Sequence, residues 1–210
     1  MKFERTAVYN IGNAMHGMRN PKESWNRNDT LGEVIGDNDM VLAQTLIKAG
    51  PEHSKFMRQI FVTVDITAPL FWWKEADQYK VGTVTDSTST MHKLMSKPFT
   101  PDLFEFDSVE KEMAGSICEH LEYWRQRYLG EADQTVKKQL WRAIVEVLPE
   151  GWMQMRTWSG DYAVLRNMYF QRKNHKLKEW SDDFVGWIRT LPYAEQLIML
   201  EGSHTEQKIG

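Results

Sequence analysis

From Lys74 onward the chain places cations directly in front of hydroxyls. Lys74, Gln78, Tyr79 and Lys80 run into Gly82-Thr83-Val84-Thr85-Asp86-Ser87-Thr88-Ser89-Thr90, where six side chains are hydroxyls. Cations followed by short hydroxyl side chains and free backbone N–H groups can hold a phosphate or a sugar through charge-assisted, directional hydrogen bonds. A solvated Ser/Thr loop is the plainer reading of the same composition. A second basic cluster, Arg166, Arg172, Lys173, His175 and Lys176, is followed by Glu179. A solvated helix surface with an i,i+4 pair from His175 to Glu179 is again the plainer account.

Other chemistries lack their residues. The sequence has no G-x-x-x-x-G-K-[ST] phosphate loop, no G-x-G-x-x-G after a strand, no H-E-x-x-H and no C-x-x-C, so triphosphatase, Rossmann and simple zinc chemistry have no support and no metal site is assigned. The single cysteine, Cys118, stands beside Ile117 on an apolar helical stripe and reads as a buried, inert thiol. Nine Trp and twelve Met stand out. Such side chains fill irregular cores and subunit contacts, and they also line pockets for planar ligands.

The elements that must position these groups follow from periodicity. Ile60, Val62, Val64 and Ile66 alternate with Phe61, Thr63 and Asp65, which predicts a strand. Asp39 precedes a short helix over Met40–Ile47 that Gly50-Pro51 stops, and Pro69 starts another from Leu70 to about Lys80. Met113, Ile117, Leu121, Trp124 and Tyr128 predict a long helix ended by Gly130. Val136, Leu140, Ile144, Val147 and Leu148 predict another, stopped by Pro149. Weaker alternation over Trp152–Trp158 reads as a strand, Asp161 caps a helix through Arg172, and Trp180, Phe184, Trp187 and Ile188 carry a helix to Leu191-Pro192. Between Met15 and Asp39, dense Gly, Asn and Asp read as turns and mobile loop. The sum is a helix-rich α+β fold.

The chain has 210 residues, no internal repeat and no Ser/Gly/Pro linker, which predicts a single domain over 1–210 with a frayed tail at about 202–210. Net charge is −3, so no overall positive field draws it to bulk nucleic acid or an anionic membrane. The start MKFERTAVYN has no secretory apolar stretch, and Ala68–Trp73 is far shorter than the ~20 residues of a membrane span. A cytoplasmic protein is expected.

The order of these segments resembles the flavin-dependent thymidylate synthases, the ThyX family. That family shows Gly-His-x-[Ser/Thr]-Pro-Phe-Glu-His, a strand, Lys-Ala-Pro-[Ile/Leu]-Phe-x-x-Arg-Gln, the signature Arg-His-Arg-x7-Ser, a Leu-Pro, Asn-Ala-Arg-Ser-Leu, and Leu-Arg with His-Ala-Gln-x-Glu-Ile. Here Ala68-Pro69-Leu70-Phe71 follows the strand, Lys74-Glu75 replaces Arg-Gln, Gln78-Tyr79-Lys80 replaces Arg-His-Arg, and Asp86-Ser87-Thr88 stands where the family has Glu-Leu-Ser. His53 falls on the histidine of Gly-His. Leu148-Pro149, Leu165 and Arg172 match in turn, and with one residue deleted so do His175 and Glu179. The same register places Arg189 on a late arginine near the pyrimidine site.

The resemblance covers roughly residues 40 to 190. It implies a helix-rich domain with an antiparallel sheet, a homotetramer with active sites between subunits, and FAD held against dUMP or a related pyrimidine nucleotide, with NADPH and methylenetetrahydrofolate as co-substrates. The cofactor does the hard chemistry, so no protein nucleophile is needed. By this resemblance His53, Gln78, Tyr79, Lys80, Asp86 and His175 would contact cofactor. Glu75, Ser87, Thr88, Arg166, Arg172 and Arg189 would line the nucleotide, with Arg189 the one catalytic candidate. The departures cut the other way. Gln78 and Lys80 replace planar arginine forks with an amide and a point charge, and Asp161-Tyr162-Ala163 replaces Asn-Ala-Arg, putting a carboxylate where a nucleotide-contacting arginine is lost unless Arg166 reaches in. The alternative is a catalytically inactive relative used for nucleotide binding or for assembly through its Trp and Met surfaces.

Overall fold

The computed structural model describes residues 1–202; the expected frayed tail lies, apart from Gly202, outside the described residues. The chain runs β1 (Lys2–Tyr9), α1 (Ile11–Gly17), α2 (Asp37–Ala49), β2 (Phe61–Pro69), α3 (Leu70–Ala76), β3 (Val84–Ser87) and α4 (Thr90–Lys93). It continues through α5 (Lys111–Gly130), α6 (Gln134–Val147), β4 (Met153–Asp161), α7 (Tyr162–Arg172) and α8 (Val185–Arg189), with π-helical turns at Glu179–Phe184 and Ala194–Ile198. The strands form one antiparallel sheet in the order β1-β2-β4-β3. The fold is helix-rich α+β, as the periodicities require.

β2 keeps its alternation: Val62, Val64 and Ile66 are buried while Phe61 is exposed. α7 begins where expected, because the Asp161 carboxylate accepts from Val164 N at 2.8 Å, and Asp133 caps α6 through Thr135 N at 2.7 Å and Val136 N at 3.2 Å. Three elements differ from the reading of the sequence. The helix after Pro69 stops at Ala76 rather than near Lys80. The hydroxyl run is not all loop: Val84–Ser87 is a strand exposed at every residue, and Thr90–Lys93 is one helical turn capped by Ser89, whose Oγ accepts from His92 N at 3.2 Å. β1 has no counterpart in the reading, since Arg5 stands at φ +53° and the strand shows no alternation of burial.

The chain divides into two compact units. The first comprises Met1–Ile66, Asp77–Thr85 and the chain from Thr157 onward. Within it α7 packs against the turn Lys55–Gln59, the π-helical turn Ala194–Ile198 and α8. Trp180, Phe184, Tyr162 and Leu165 are almost wholly buried, and each such side chain contributes about 1.5–3 kcal/mol. The second comprises Thr67–Ala76 and Asp86–Arg156. Here α5 packs on α6 around Leu94, Phe99, Phe104, Cys118, Leu121 and Ile144. Cys118 is therefore core, and burial pushes its thiol pKa up.

The Met15–Asp39 segment is tied down rather than loose. α1 extends to Gly17, α2 starts at Asp37, and Asp39 is not a cap but a buried hub. Its carboxylate accepts from Arg19 Nε at 2.5 Å, from Thr30 N at 3.0 Å and from Thr30 Oγ1 at 2.5 Å. Asp29 answers by accepting from Asn38 N at 2.8 Å and Asp39 N at 3.0 Å, and the Asn38 amide leads the causes that hold the Asp29 pKa below its ordinary value.

Candidate functional site

In the first unit, Tyr79 and Arg172 meet across 93 residues of chain. Arg172 Nε donates to the Tyr79 hydroxyl at 2.8 Å, and that hydroxyl donates to Gln171 Oε1 at 2.8 Å. The guanidinium lies against two rings, 4.7 Å from the Trp180 centroid and 5.5 Å from that of Tyr79. His175 stands edge-on to Trp180 at 6.5 Å, and its Nδ1 accepts from Leu177 N at 3.2 Å. Three site residues expected from the sequence thus converge on Trp180, which that reading took only as a helix-face residue. The π-helical turn beginning at Glu179 carries Trp180 into this cluster; such turns are frequent at functional sites.

The same unit holds a cavity of about 290 Å³ walled by Ile47, Met57, Ala163 and Phe170, with Arg166 at its edge. Gly50, at φ +117°, ends α2 in a conformation that favours glycine, and the turn it starts brings Pro51 and Ser54 to the cavity. His53 is exposed in that turn. Arg166 Nη1 donates to Ile198 O at 2.9 Å and Leu197 O at 3.4 Å, its guanidinium lies 4.7 Å from the Phe170 centroid, and it has no carboxylate partner among the described residues. Burial lowers its pKa. Asp161, on the first turn's cap, has its pKa raised by burial, and a Cβ on Gly82 would lie 3.1 Å from its Oδ2.

The second unit contains a cavity of about 450 Å³. Thr88, Ser89, Thr90, Lys93 and Lys97 line one side, and Leu94, Leu103, Trp152, Met153 and Met155 the other. Lys93, Lys97 and Trp152 were not singled out from the sequence. The available signal was two lysines four residues apart immediately after the hydroxyl run.

The remaining candidates are dispersed. Lys80 is exposed, with no ion pair among the described residues, and Gln78 is exposed. Arg189 is exposed at the end of α8. Asp86 and Ser87 are exposed on β3, and Glu75 is half-buried on α3; none of these three lines the 450 Å³ cavity. Among the described residues no group of three or more His, Cys, Asp or Glu could hold a metal ion, and no helix is long and apolar enough to cross a membrane.

A four-stranded antiparallel sheet dressed with these helices is the ThyX-like fold. No family model matches the sequence, and no curated protein matches it. Among solved structures, the flavin-dependent thymidylate synthase ThyX from Helicobacter pylori complexed with FAD and dUMP is similar at TM-score 0.73 and 17% identity, over 94% of this chain and 97% of that one. A second structure of Helicobacter pylori ThyX with FAD and dUMP gives a TM-score of 0.74 at the same identity and coverage.

Proposed function

We propose that the chain is a divergent relative of the flavin-dependent thymidylate synthases that binds a pyrimidine nucleotide and FAD, with NADPH and methylenetetrahydrofolate as co-substrates for reductive methylation of dUMP. The observation that carries this reading is convergence within a shared fold. Over 94% of the chain follows structures of an enzyme that holds FAD and dUMP, and Tyr79, Arg172 and His175, distant in sequence, stand together around Trp180. A homotetramer and a cytoplasmic location belong to the same proposal.

The donor chemistry around the 290 Å³ cavity fits part of a flavin nucleotide. Arg166 offers a cation without a carboxylate partner among the described residues, and Phe170, Met57 and Ile47 offer apolar wall for a ring. His53, exposed in the adjoining turn, supplies a further donor. Bound FAD would supply the electron-transfer chemistry. This chain's residues bind and orient, and Arg189 is the candidate for polarising the pyrimidine.

One observation favours the second reading, a nucleotide-binding protein without catalysis. The Tyr79 hydroxyl and Arg172 Nε satisfy each other, where the resemblance gives the signature segment a cofactor contact. The visible absorption spectrum after incubation with FAD and desalting separates the two. Retained flavin, followed by dUMP-dependent NADPH oxidation in the presence of folate, is the expected result. Colourless protein that binds dUMP by calorimetry would leave only the second reading.

A further inference from the structure

We propose that a second cavity of the second unit, about 530 Å³ and walled by α5 and by Phe99 and Pro101, is a site for a small organic cation, an alkyl or aryl ammonium, with Glu119 as its counter-charge. Its volume lies within the range of about 300–1,000 Å³ usual for small-molecule sites. Two carboxylates, Glu119 and Glu122, line it and no Lys, Arg or His does. A cavity whose own formal charges are all negative repels anions and concentrates cations.

The two acids have different partners. Glu122 Oε1 accepts from Arg125 Nη1 at 2.8 Å and Gln126 Nε2 at 2.6 Å, and its Oε2 accepts from Phe99 N at 3.0 Å. Burial pushes its pKa up, but these hydrogen bonds and the Arg125 charge outweigh burial and hold it below the ordinary carboxylate value. Arg125 is 7% exposed and gives its Nε to Met95 O at 3.0 Å, so Glu122 and Arg125 form a fixed pair that cancels its own charge. Glu119 is exposed, with no hydrogen bond or ion pair among the described residues, and its charge is left for a ligand. The Cys118 thiol, 4% exposed, lines the same cavity without a hydrogen-bond partner among the described residues, an unspent and polarizable atom in the wall. The rest of the wall is aromatic. Phe99 is buried and braced edge-on by Trp152 at 5.8 Å, and Tyr123 is 59% exposed. Ring faces attract cations within about 6 Å of the centroid, and Tyr123 does so already with Arg127 at 5.9 Å, which does not line the cavity. One free carboxylate beside rings and a sulfur suits an ammonium carrying alkyl or aryl groups. A metal ion would need more oxygen ligands than Glu119 and Glu122 supply. None of this rests on the flavin or nucleotide reading.

Calorimetric titration of the full chain with phenyltrimethylammonium, and with choline against dimethylbutanol, its uncharged carbon isostere, tests this. Both cations are expected to bind, and dimethylbutanol about tenfold or more weaker than choline. Glu119→Gln keeps side-chain length and helix propensity, and should weaken both cations about fivefold or more at an unchanged Tm while leaving dimethylbutanol as it was. Gly115→Leu adds bulk to the cavity lining at a position where a Cβ meets no atom within 4 Å, so it should weaken all three probes without loss of stability, glycine being the poorer helix former. Failure of both cations to bind, equal affinity for choline and dimethylbutanol, or cation binding undiminished in either variant would overturn the proposal.

Discussion

Replacing Tyr79 with Phe removes one oxygen from the cluster and leaves its rings in place. The Phe ring can still meet Trp180 edge-on, as Tyr79 does at 6.3 Å, and still underlie the Arg172 guanidinium. What disappears is the acceptor for Arg172 Nε and the donor to Gln171 Oε1, both at 2.8 Å. A hydrogen bond involving a charged group is worth about 1.5–3 kcal/mol when desolvated and a neutral one about 0.5–1.5. Gln171 is exposed, so water replaces its lost donor, whereas Arg172 and Tyr79 are half-buried and recover only part of theirs. The expected cost is about 1–2 kcal/mol, which in a chain of this size lowers Tm by roughly 2–8 °C. Urea unfolding of wild type, Tyr79→Phe, Arg172→Lys and the double variant measures it as a cycle. A coupling of about 1 kcal/mol is expected between contacting residues. Additive single effects, or a Tyr79→Phe variant within about 0.3 kcal/mol of wild type, would refute the view that the hydroxyl fixes the arginine.

Two further outcomes follow from buried carboxylates. Asp39→Ala strands Arg19, which is 4% exposed, and should cost about 3–5 kcal/mol in urea unfolding; a loss under about 1 kcal/mol would mean the pair adds little. Asp161 has a pKa raised by burial, so the folded state binds the extra proton and the carboxylate's contribution to stability falls as pH rises from its ordinary value of 3.8 through the raised one. Asp161→Asn keeps a cap of similar strength, so wild type should lose ground to it between acid and neutral pH, and parallel Tm profiles would count against the burial effect.

Legibility in the sequence tracked burial. β2 was readable because its two faces see different solvents, α6 because its apolar residues recur at helical spacing up to Pro149, and α7 because Asp161 announces its cap. β3 was not, since all four of its residues are exposed and no alternation can arise; β1 lacks it too and bends at Arg5. The Asp29–Asp39 hub was hidden because two carboxylates ten residues apart look like solvated turn residues until backbone amides are folded onto them. Of the site, Tyr79, Arg172 and His175 stood out in two separate polar clusters that only the resemblance joined into one site, whereas Lys93 and Lys97 lie past the last hydroxyl of the run and belong to no motif.

The Arg19–Asp39 bridge also closes a ring. It joins residues 20 apart in a protein whose single cysteine cannot do so covalently, and the segment it encloses cannot open without releasing the first turn of α2. Tying the ends of such a loop restricts its excursions as a disulfide would, at a cost in closure entropy that grows only slowly with loop length. Unlike a sulfur bond, this tether is indifferent to reductant. Asp29 contributes its grip above pH 3.8 and gives it up as the pH falls through its lowered pKa. Limited proteolysis between Thr30 and Gly36 should accordingly be slow at neutral pH, with or without thiol, and quicken on acidification.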